Sequence, residues 1–177
     1  DAQPTDIYSG LANSMVHFFT MNYKCYIMDG VNFLVYDGTT VSEPTPYIPT
    51  LSISKVPAGG GTINEDFNLI GKGFKDSFSA DGTSTVFQLS LTNLDPTEIK
   101  VEVNNVVKTL TTDYTWDPVT GKVTFVTAPP QGTNNVIITA YKTISGMADR
   151  IKKCTFSIAF GGSNDTRMFI SGNPNMP

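Results

Sequence analysis

The chain has 177 residues, 40% of them hydrophobic and only 16% charged, with a net charge of -4. That length can bury a core, as one domain or two small ones. The acidic balance argues against direct nucleic-acid binding, which needs clustered Lys and Arg, and no apolar run of about 18 residues marks a membrane-spanning helix.

Thr, Ser, Asn and Gly replace the missing charge, a composition typical of turn-dense all-β proteins. Residues 1–15, DAQPTDIYSGLANSM, read as an arm or loop, and the opening Asp fits a piece of a longer parent. Three aromatic-rich strand runs follow: VHFFTM, KCYIMD and VNFLVYD. Asn22 separates the first two loosely. Asp29-Gly30 predicts a two-residue hairpin turn, and Asp37-Gly38 starts another turn. Residues 42–62 carry Pro44, Pro46, Pro49 and Pro57, so they read as an extended connector ending in a flexible GGG. That glycine run is not a phosphate loop, because no GK[ST] follows it. INEDFNLIGKG is expected to hold one short helical turn.

From Gly73 to Thr143 the pattern is strand, tight turn, strand. Phe87, Leu89 and Leu91 face one way, against Val86, Gln88 and Ser90. In EIKVEV, Ile99, Val101 and Val103 alternate with Lys100, Glu102 and Asn104, and Asn104-Asn105 suits a type I′ turn. DPVTG suits a type I turn with a Gly bulge, and NVIITAYK closes the set. Seven short strands with regular turn signals predict a compact β-sandwich. SGMADRIKKC follows as a helical turn or an extended crossover. CTFSIAF and RMFISG then form a terminal hairpin around GGSNDT.

An isolated hairpin is marginal in water, so the terminal strands are expected to complete the sheet begun by residues 16–41. The expected organisation is a discontinuous, blade-like sheet domain, residues 1–72 and 144–177, with a sandwich inserted at 73–143. The fold class is all-β: a small aromatic-rich antiparallel sheet, propeller-blade-like, split by an inserted seven-stranded β-sandwich. Cys25 and Cys154 would share the small sheet. They read as reduced, buried residues, and a disulfide needs their strands to be neighbours.

Two resemblances cover most of the chain from about residue 23. KCYIMDGVNFLVYDGTTV, GGGTINEDFNLIGKGFKDSFSADGTST and IKKCTFSIAFGGSNDTRMFISGNPNMP resemble a family of structural proteins from tailed phages of Gram-positive hosts, proteins that look like β-propellers. FSADGTSTVFQL, VEVNNVV and DYTWDPVTGKVTFVTAPPQGTNNVIITAYK resemble a small β-domain found in phage tail and fibre proteins. The resemblance implies a virion protein assembled in the bacterial host cytoplasm. Its implied partners are other virion structural proteins, in an oligomeric arrangement; the charge and hydropathy argue separately against sequence-specific nucleic-acid binding and membrane contact.

The residues offer little chemistry. His17, the single histidine, lies in an apolar strand and reads as structural. With two cysteines and no CxxC, zinc has no support. The loop GGSNDTR places Asn164, Asp165 and Arg167 together, but one Asp cannot supply the six to eight oxygens that Ca²⁺ takes. No metal, cofactor or catalytic residue is expected, and the protein reads as a non-enzymatic head–tail or tail component. The alternative is a carbohydrate-binding module of a tail tip, with a host surface glycan held by Tyr114, Trp116, Asn134 and Asn135.

Overall fold

The computed structural model describes residues 6–161 and 167–176. In chain order the elements are β1 (His17–Met21), β2 (Lys24–Met28), β3 (Phe33–Tyr36), β4 (Val41–Ser42), β5 (Thr50–Lys55), β6 (Thr62–Ile63), β7 (Gly73–Ala80), β8 (Val86–Gln88), β9 (Ile99–Val103), β10 (Val106–Val107), β11 (Tyr114–Asp117), β12 (Lys122–Phe125), β13 (Gly132–Tyr141), α1 (Asp149–Lys152), β14 (Phe156–Ala159) and β15 (Met168–Ser171). The protein is therefore nearly all-β. The chain divides into two compact units, Asp1–Pro46 with Ser145–Pro177, and Tyr47–Ile144.

The unit Tyr47–Ile144 is a two-layer sandwich. One sheet has the order β10-β9-β13-β7-β5-β6 and the other β11-β12-β8. Strict alternation sets which side chains face between the layers: Val101 and Val103 are buried, while Lys100 and Glu102 lie outward. Phe78 of one sheet meets Phe87 of the other edge-on at 5.3 Å, and Phe87 meets Phe125 at 5.1 Å. Such pairs add to the stabilisation that apolar burial alone provides.

All seven strands expected between residues 73 and 143 are present. Asn104 and Asn105 both take positive φ, 51° and 63°, and join Val103 to Val106 as a two-residue turn. The connector differs from expectation. Residues 50–55 form β5, which pairs in parallel with β7, and β6 pairs back onto β5. The prolines flank β5 rather than interrupt it, so its amides remain free to pair. The sandwich unit thus begins at Tyr47 and not at Gly73. INEDFNLIGKG contains no helical turn. Its Glu65 carboxylate instead accepts the Thr50 N–H at 2.6 Å and the Tyr47 hydroxyl at 3.2 Å.

In the other unit β1-β2-β3-β4 form a meander. Phe19, Tyr26 and Phe33 stack along one face, with ring centroids 4.9 Å apart for the first pair and 5.7 Å for the second. The two-residue turn lies at Asn22-Tyr23, whose φ values are 51° and 59°. Asp29-Gly30 instead opens the loop between Met28 and Phe33, and only Gly30 there has positive φ. Asp29 is buried and gathers the loop and the arm. It accepts from the amides of Val31 and Asn32, from the Asn32 side chain and from the Ala12 amide. Burial pushes its carboxyl up, yet these bonds together hold it below the usual range.

β14 and β15 form their own two-stranded sheet, so residues 16–41 and 154–170 do not share one sheet. β14 meets β1 through a side chain. The Ser157 N–H of β14 donates to His17 Nε2 at 3.2 Å, and Ser157 Oγ lies 2.8 Å from the same nitrogen. A side chain takes the place a ladder carbonyl would hold. Both thiols are free, Cys154 buried and Cys25 partly so. The crossover residues contain α1, a single short helix.

Candidate functional site

A buried polar cluster that includes a lysine and an aspartate lies in the sandwich core. On β7, Phe74, Asp76 and Phe78 alternate onto the inward face, and all three are fully buried. An acid thus occupies an apolar register. Its partner comes from β5, where the pairing shifts between Ser52 and Lys55. Ser54 there adopts φ 54°. The bulge re-aims the following side chain, and Lys55 turns inward to only 4% exposure. Ser54 is held by its N–H donating to Asn134 Oδ1 at 2.8 Å.

Lys55 Nζ lies 3.9 Å from Asp76 Oδ2 and donates to Ser90 Oγ at 2.9 Å. Ser90 Oγ donates to Asp76 Oδ1 at 2.7 Å, and the Ser90 N–H donates to Asp76 Oδ2 at 2.6 Å. Ser52 Oγ stands 3.3 Å from the Ser90 hydroxyl. The Phe78 ring lies 5.4 Å from Nζ. Burial pushes the Asp76 carboxyl up, and neither the Ser90 hydrogen bonds nor the Lys55 charge cancels that effect. Ser90 itself is surface-exposed. The arrangement places an amine, a carboxyl and a bridging hydroxyl in contact, largely out of water.

None of Lys55, Asp76 or Ser90 stands out in the sequence as a site residue. The available signal was GFKDSFSA, in which strict alternation puts Asp76 between two inward phenylalanines. Lys55 had no comparable signal, because its direction depends on the bulge.

The residues singled out from the sequence fall elsewhere. Tyr114 is 2% exposed and belongs to the core, so its ring is closed to a sugar. Trp116, on the same strand, packs partly against that core. Asn134 and Asn135 sit in the irregular start of β13 and serve the fold. Asn135 Oδ1 accepts the Ala80 N–H at 3.1 Å, and its amide donates to the Pro130 carbonyl at 2.8 Å. Asn164 and Asp165 lie outside the described residues. The Arg167 guanidinium covers the Phe160 ring at 4.9 Å.

The terminal hairpin presents an apolar face. Ile158 pairs with Phe169, and with Phe156 and Phe160 they share one side of β14–β15. These four are 64%, 51%, 49% and 48% exposed, which marks a patch rather than a scattered residue.

Residues 74–156 match the family of the phage T7 tail fibre protein, N-terminal domain. The match supports a phage tail protein. It runs from β7 through β13 to the start of β14 and leaves out β5 and β6. At that level the match is consistent with a tail structural role. No curated protein and no solved structure matches the chain.

Proposed function

We propose that the protein is a non-enzymatic structural component of a phage tail, working through contacts with other virion proteins as part of an oligomeric assembly. The observation that carries this reading is the tail-fibre match across the strands that build the sandwich. The exposed face of Phe156, Ile158, Phe160 and Phe169 adds support, since large apolar patches mark protein contacts. The meander β1-β2-β3-β4 has the size and order of a propeller blade, so a propeller-bearing parent from a phage of a Gram-positive host remains part of the proposal. Assembly in the host cytoplasm goes with it.

A glycan-binding tail tip is the weaker reading, because Tyr114 is buried in the core and Trp116 packs partly against it. The test is immunogold labelling of intact phage particles with antibodies raised against this chain. Gold at the tail is the expected result. Gold confined to heads, or particles that never label although the chain is expressed, would refute the assignment.

A further inference from the structure

We propose that Lys55 and Asp76 condense into an intramolecular isopeptide bond, Lys55 Nζ joined to Asp76 Cγ, which ties β5 covalently to β7. This goes beyond the tail reading and does not depend on it.

Four observations meet at this point. The two side chains come from hydrogen-bonded neighbours, and both turn into the sandwich. The bulge with Ser54 at φ 54° fixes the direction of Lys55. Gly61 closes over the lysine stem: a Cβ there would approach Lys55 Cγ to 2.6 Å, so only glycine lets the chain pass so close. The Ser90 hydroxyl bridges nucleophile and electrophile, 2.9 Å from Nζ and 2.7 Å from Oδ1.

The alternative state, a buried ion pair, carries a large desolvation cost that one Coulombic contact repays poorly. Condensation removes both charges. Fixed juxtaposition also supplies the high effective concentration that amide formation in open water lacks.

The step balances without any co-reactant. Proton transfer from the ammonium to the carboxylate gives an amine and a carboxylic acid. The amine lone pair attacks Cγ, the N–C bond forms, and the carbonyl π pair moves onto Oδ2. The Ser90 N–H, 2.6 Å from Oδ2, stabilises that charge. One amine proton passes to Ser90 Oγ as the Ser90 hydroxyl proton passes to Oδ1. The Cγ–Oδ1 bond breaks, water leaves and the carbonyl re-forms as an amide. Ser90 reaches the surface, which gives the water an exit.

The test is the intact mass of the denatured full chain, followed by peptide mapping. The expected mass is lower than the sequence mass by one water, with the peptide holding Lys55 linked to the one holding Asp76. Succinimide formation at an Asp-Gly pair also removes water, but it links no two peptides and persists in Lys55→Arg. Lys55→Arg is expected to restore the full mass. Ser90→Ala is expected to slow linkage measured from fresh synthesis, and linkage at an unchanged rate would overturn the relay role of Ser90. A wild-type chain at full sequence mass, or a wild-type peptide map in which the Lys55 and Asp76 peptides are not linked, would overturn the bond itself.

Discussion

Asp29, Asp37, Asp81 and Asp117 each accept the N–H of the residue two positions on. That short-range bond is why Asp-Gly and Asp-Pro steps marked turns so well in the sequence. The bonds favour the ionised carboxylate. The Thr40 amide first, with that of Thr39, holds Asp37 below the usual range. The Ser84 hydroxyl and amide hold Asp81 further below it. For Asp117 the Thr120 hydroxyl leads, and for Asp95 the Thr143 amide. The sign follows from the depressed folded values. These groups stabilise the fold above the unfolded carboxylate range, and the contribution is lost as pH falls through the folded range. Thermal melting should therefore hold steady near neutrality and drop below about pH 4. Replacing Asp37, Asp81 and Asp117 together by Asn should flatten that drop, because Asn keeps an acceptor but has no proton to gain. A variant with the same acid profile as the wild type would show that these turns do not set it. Lys55 marks the opposite case at this scale. Nothing in TLSISK announces an inward lysine, since its direction comes from one backbone bulge at Ser54.

At the scale of elements, period-two alternation made the seven strands of residues 73–143 legible, and the register test is specific. Val101 has no exposure, while Lys100 is 51% exposed and pairs with Glu102 at 2.9 Å. Val101→Asp would bury an unpartnered charge and should cost several kcal/mol, about 3 or more. Lys100→Asp should cost less than about 1 kcal/mol. Denaturant midpoints read both, and equal midpoints would contradict the register. Gly121 closes the β11–β12 turn at φ 67°, and a Cβ there would run into the Leu91 carbonyl oxygen. Gly121→Ala should therefore lose about 1–3 kcal/mol on the same measurement.

The β1–β14 relation was not legible. It rests on a His17 side chain standing in for a backbone acceptor, and sequence patterning is blind to that substitution. His17→Ala should leave β1–β2 pairing intact while amide exchange at Ser157 speeds up. Unchanged exchange there would show that the histidine is not what holds the strand. β5 was missed for a related reason. Its flanking prolines resemble a linker, and the bulge breaks the alternation that would have identified a strand.

At the scale of the molecule, the change of texture near residue 73 and the return of aromatic hairpins after residue 143 pointed to two regions. The compact units divide at Pro46 and Tyr47 and again at Ile144 and Ser145. The shift from 73 to 47 has a physical origin: β7 needs β5 on its flank, and buried Asp76 needs Lys55. The resemblance to a tail-type β-domain was legible through turn-and-strand phrases, and residues 74–156 match the family of the phage T7 tail fibre protein, N-terminal domain. A fragment spanning 47–144 should then fold alone and unfold in a single cooperative thermal transition. A fragment spanning 73–143 loses β5 and Lys55, so it exposes an unpaired strand edge and leaves Asp76 without its cation. The direct comparison is their melting curves, followed by circular dichroism at equal concentration. The shorter fragment should melt well below the longer one or fail to fold. Equal melting temperatures would contradict the place of β5 in the sandwich, and an unfolded 47–144 fragment would contradict the unit itself.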